Sequence, residues 1–80
     1  MGYVIVEFSE RREVLVGGKS EGYNRWLNGD YRTLLIGDGL QTFRLGGQPD
    51  FEPDPNPVEV RADSNEVNPQ RIVFTKKAQP

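Results

Sequence analysis

Asp50, Glu52, Asp54 and Asn56 place oxygen-bearing side chains at every second position of one segment, a spacing that could gather hard ligands around a cation such as calcium. An EF-hand loop needs glycine at its sixth position and glutamate at its twelfth. Counted from Asp50 these are Pro55 and Arg61, and the interleaved Pro53, Pro55 and Pro57 hold the backbone extended. The segment is therefore expected to be a solvated acidic crossover, with no metal. Gly18-Lys19-Ser20 matches the tail of a phosphate-binding P-loop, but the full pattern puts glycine where Glu13 stands and a helix afterwards, which Gly22 and Gly29 oppose. An ordinary turn with a solvated lysine is expected, and no cofactor. The chain has neither histidine nor cysteine, so Ser-His and Cys-His nucleophiles and imidazole base chemistry are absent. A carboxylate pair acting on a glycosidic bond would need a cleft that 80 residues with 35% apolar content can hardly build. The expectation is a protein that is not an enzyme.

One constellation remains. Tyr23, Arg25, Trp26 and Tyr31 lie close together, beside Asn28 and Arg32, and flat rings with neighbouring hydrogen-bonding groups suit a sugar face or a peptide. The competing reading is that Trp26 and Leu27 fold back to plug one end of a core short of apolar volume. A large ring usually buries when it can, so the plug is the first expectation and the binding surface the alternative.

The elements that must carry these residues are strands. No stretch holds helical apolar spacing through ten or more residues without Gly or Pro, whereas six segments read as strands: about 3–8, 13–17, 31–36, 41–45, 58–62 and 71–75. Their inward faces are Val4, Val6 and Phe8, then Val14 to Val16, then Gln41, Phe43 and Leu45, then Val58, Val60 and Ala62, and finally Ile72 and Phe74. Gly37-Asp38-Gly39 between two apolar runs reads as the turn of a β-hairpin. Outward Arg32, Arg44, Arg61 and Arg71, with Glu7 and Glu59, are expected to form cross-strand charge pairs on a wet face. Two long loops, 17–30 and 46–57, are the natural places for function, and 76–80 reads as a flexible tail. The fold class is all-β: a small antiparallel six-stranded β-sandwich, or a small open barrel, as a single domain over 1–75.

Composition narrows the partners. Ten Lys and Arg against twelve Asp and Glu give a net charge of −2, with no basic block to steer toward nucleic acid. The apolar run after Met1 has no basic leader and stops at Glu7, so neither an export signal nor a membrane span is expected; with no cysteine, a cytoplasmic location fits. Met1-Gly2 lacks the Ser or Thr that myristoylation wants at the sixth position, which is Val6.

The run Val14-Leu15-Val16-Gly17-Gly18-Lys19-Ser20-Glu21-Gly22, followed after a spacer by Leu34 to Leu45, resembles the PEGA family of small bacterial and archaeal β-domains. Gly18 and Gly22 match the family's first glycine pair and Gly39 its motif glycine. Asp38 replaces the motif Glu, and Phe51 sits where a Gly-Tyr dipeptide often follows. Gly17 stands in place of the usual Asp, and Gly37 and Leu40 in place of the motif Pro and Ala. The resemblance covers about residues 13–75 and implies a sandwich-like module without enzymatic role. The expected function is thus a non-enzymatic binding or interaction module for a protein or carbohydrate partner, present as a monomer or weak homodimer. The alternative is a structural module that associates with itself through edge strands.

Overall fold

A computed structural model of the chain describes residues 1–77. They are all-β, with no helix, and form β1 (Gly2–Glu7), β2 (Glu13–Val16), β3 (Lys19–Tyr23), β4 (Leu34–Ile36), β5 (Gly39–Leu45), β6 (Phe51–Glu52), β7 (Asn56–Val60), β8 (Gln70–Val73) and β9 (Thr75–Lys76). Three sheets result, ordered β4-β1-β8, β3-β2-β5-β7 and β6-β9, and none closes into a barrel. Among the described residues the strands number nine, not six, because short β6 and β9 and the polar β3 carry no apolar alternation to reveal them. Nor is the pairing wholly antiparallel: β1 runs parallel to β8, with Val4 opposite Gln70 and Val6 opposite Ile72.

Alternation explains what each larger sheet buries. In β1, Val4 and Val6 are buried while Tyr3, Ile5 and Glu7 are partly exposed. Val14 lies opposite Leu45 and Val16 opposite Phe43, so β2 and β5 present matched apolar pairs. Leu34 and Ile36 from β4, Val60 from β7 and Ile72 from β8 join them in one core with Phe8, Phe51 and Phe74. Full burial of an aliphatic or Phe side chain is worth about 1.5–3 kcal/mol, so this shared core is the main source of stability. Ala62, expected inside, is exposed, because β7 ends at Val60 and the chain turns away.

The Gly37-Asp38-Gly39 segment is not a hairpin turn. β4 pairs with β1, with Leu34 opposite Val4, whereas β5 pairs with β2 and β7. The segment carries the chain from one sheet to the other. A hairpin would leave β1 without its partner; crossing lets Leu34 and Ile36 of one sheet join one core with Phe43 and Leu45 of the other. The true tight hairpin is β2–β3, where Gly17 and Gly18 have φ of 58° and 84° and Val16 lies opposite Lys19. Positive φ at both central residues is what a type I′ turn demands.

Lys76 belongs to β9, and the Lys77 amide donates to the Asp50 carbonyl, so the expected tail is paired through residue 77; residues 78–80 lie outside the described part. The β6–β9 ribbon brings Phe51 against Phe74, edge to face at 5.4 Å. Between β7 and β8, the Gln70 amide donates to the Glu59 carbonyl and accepts from the Arg61 amide, both at 2.9 Å, while Asn56 donates to the Val73 carbonyl at 3.3 Å. Two side-chain amides thus stitch β7 to β8.

Candidate functional site

The loop between β3 and β4 builds the site. Arg25 and Tyr31 form an isolated antiparallel bridge, the Trp26 amide donates to the Asp30 carbonyl, and the Gly29 amide donates back to the Trp26 carbonyl. Gly29, at φ 97°, supplies the left-handed residue that lets a type I turn rejoin such a ladder. Asn28 adds its own short turn by accepting from the Asp30 amide at 3.0 Å. Trp26 and Leu27 therefore ride on the tip of a rigid miniature hairpin.

Asn24 anchors this hairpin. Its side chain is fully buried, accepts from the Arg12 amide at 2.7 Å and donates to the Glu10 carbonyl at 3.1 Å. Its backbone accepts from the Arg32 amide and donates to the Arg12 carbonyl, both at 2.9 Å. Four hydrogen bonds from one residue join the 10–12 turn to the 24–32 loop. Arg25 is the second strut. Its guanidinium donates to the Phe8 carbonyl, the Gly29 carbonyl and the Tyr31 hydroxyl at 2.7–2.8 Å, and lies over the Tyr31 ring at 4.0 Å. Tyr31 in turn donates to the Phe8 carbonyl at 3.2 Å.

The four expected site residues thus divide. Arg25 and Tyr31 hold the loop from beneath, whereas Tyr23 is 40% exposed and Trp26 56% exposed. Trp26 is not a core plug: the core is already closed by Phe8, Phe43, Phe51 and Phe74, and Leu27 is 89% exposed. Two arginines complete the outer surface, Arg11 over the Tyr23 ring at 3.9 Å and Arg32 over the Trp26 ring at 4.6 Å. Nothing in the sequence neighbourhood of Arg11 marks the ring 12 residues away that it covers.

The charge pattern sets this end apart. Elsewhere, Arg12, Arg44, Arg61 and Arg71 each have a carboxylate within 4 Å. Arg11, Arg25 and Arg32 have none among the described residues; each faces an aromatic ring instead. Of the expected cross-strand pairs, only Arg71–Glu7 forms as such, at 2.8 Å, while Arg44 pairs with Asp54 in the crossover and Arg32 stacks on Trp26. A shallow cleft of about 200 Å³ adjoins the surface, lined by Arg11, Arg12, Glu13, Tyr23, Gly46 and Gly47.

Three of the four residues spaced like cation ligands have other partners. Asp50 pairs with Arg12 at 2.8 Å, Asp54 with Arg44 at 2.7 Å, and Asn56 bonds to β8. Arg12 also reaches Glu10 at 2.6 Å and the carbonyls of Gly46 and Gln48, and Lys76 contacts both Glu10 and Asp50. Lys76 first, then Arg12, holds the Glu10 carboxyl below its usual range, and Arg12 does the same for Asp50. Asp50 and Glu10 in turn raise Arg12, and Glu10 raises Lys76. No group of three or more Asp and Glu suited to a metal ion occurs among the described residues, nor is any helix there long and apolar enough to cross a membrane.

No family model, curated protein or solved structure matches this chain.

Proposed function

We propose that this chain is a non-enzymatic binding module: a sandwich-like scaffold, of the kind its PEGA resemblance implies, presenting Tyr23, Trp26 and Leu27 flanked by Arg11 and Arg32. The observation that carries this reading is the cluster of arginines lacking carboxylate partners against exposed rings. Such a surface suits a protein segment bearing carboxylates beside apolar groups, because the guanidinium groups keep donors for an incoming acid while the rings supply contact area. The rigid hairpin beneath lowers the ordering cost of binding. A neutral carbohydrate stacking on Trp26 is the other ligand class.

Trp26 is the only tryptophan, so its emission reports on this surface alone. Titration with poly-L-glutamate is expected to change that emission saturably, with the effect weakening as salt rises and disappearing in the double variant R11Q/R32Q. No response in the wild type, or the same response in the double variant, would overturn the reading. A response to the neutral glucan laminarin alone would favour the carbohydrate class.

A second reading is self-association through an edge strand, and one observation favours it: the outer backbone of β4 is bare.

A further inference from the structure

Two larger sheets present four terminal strands, and three are protected. β7 and β8 are stitched together by Gln70 and Asn56. On β3, the Tyr23 carbonyl accepts from Arg32, the Gly22 amide donates to the Ser20 hydroxyl, and the register against β2 shifts between Glu13 and Leu15. Such irregularities blunt an edge. β4 has no such cover. Apart from its ladder to β1, no hydrogen bond reaches the backbone of residues 33–36 among the described residues, and the central Leu35 is 46% exposed.

The sequence around β4 is complementary to its own reversal. When two copies run antiparallel with Leu35 opposite Leu35, Leu34 of each lies opposite Ile36 of the other, extending both apolar faces without a break. Three residues out from the centre, Arg32 of each copy lies opposite Asp38 of the other. Among the described residues Arg32 has no carboxylate within 4 Å, and the Asp38 side chain is 56% exposed and contacts the N-terminal ammonium at 3.1 Å. Opposite charges directly across strands stabilise a pairing, and like charges oppose it. A register shifted by one residue would set the core-facing Leu34 and Ile36 of one copy beside the solvent-facing side of the other.

We infer that a second copy of this chain pairs antiparallel along β4, about a two-fold axis at Leu35, joining two three-stranded sheets into one and closing each end with an Arg32–Asp38 contact. The inference rests on the self-association reading and adds the strand, the register and the charge pairs.

Sedimentation of the full chain from about 10 µM to about 1 mM, the range where a modest interface of this kind would populate, is expected to show mass rising from 9.1 kDa toward twice that value. L35K places a charge at the exposed centre and should leave a folded monomer throughout. D38R and R32D each oppose like charges at both ends of their own homodimer, so each should associate about tenfold more weakly. Mixed, they recreate opposite charges at both ends, and the mixture should regain wild-type association. A wild type that stays monomeric throughout overturns self-association as a whole. A dimer indifferent to L35K, or a mixture no tighter than its components, overturns the β4 register while leaving self-association through another edge standing.

Discussion

Asn24→Ala tests whether one buried amide holds the aromatic surface in place. The substitution removes the acceptor for the Arg12 amide and the donor to the Glu10 carbonyl. Each buried polar group left without a partner costs about 1–3 kcal/mol, so a loss of about 2–4 kcal/mol is expected once some water access is allowed. A domain of 80 residues has about 4–12 kcal/mol in total. At about 4–8 °C per kcal/mol for this size, the midpoint should fall by roughly 8–32 °C. Thermal melts followed by circular dichroism measure it, with Leu27→Ala as the control, since a side chain 89% exposed should change stability by no more than about 0.5 kcal/mol. Trp26 emission should also shift before the global transition, because the loop loses its anchor while the sheets persist. A midpoint within about 3 °C of the wild type would refute the assignment of Asn24 as the pin between the two turns.

Lowering the pH should destabilise the fold through Glu10 and Asp50. Both carboxyls titrate lower in the folded chain than in the unfolded one, so the unfolded state binds more protons in the acid range; stability is intact above about pH 5 and falls as the pH drops below about 4. Melting points from pH 7 down to 2.5 check this, and Arg12→Met should flatten the dependence; an unchanged slope in that variant would refute the network. Arg25→Lys should cost about 1.5–3 kcal/mol, because an ammonium cannot serve the Phe8 and Gly29 carbonyls and the Tyr31 hydroxyl at once. Urea unfolding reads this as a lower midpoint at constant slope, and a wild-type midpoint would dismiss Arg25 as a strut.

Strand alternation made most of the fold legible: Val4, Val6, Phe8, Phe43, Leu45, Val60, Ile72 and Phe74 were expected inside and are buried. What stayed hidden has physical causes. A glycine-bounded Asp38 serves a hairpin and a sheet-to-sheet corner equally well, since both ask for a sharp reversal. β3 has no apolar residue but Tyr23, so its existence depends on the Gly17-Gly18 turn and its ladder to β2. Trp26 was expected to plug the core because composition counts apolar volume, not whether four phenylalanines have already filled the space. Arg11 and Asn24 act across chain separations that no local pattern encodes.

The parallel pairing of β1 with β8 has a consequence for how the chain comes off the ribosome. Its first strand sits in the middle of its sheet and must wait for residues 70–73 before that sheet is complete. Until residues 70–73 have been made, the Val4–Val6 stripe lacks a neighbour on one side and stays open to wrong partners. A chain cut before Gln70 should therefore be aggregation-prone and not merely shorter, and folding should be governed by closure of the long loop between β1 and β8.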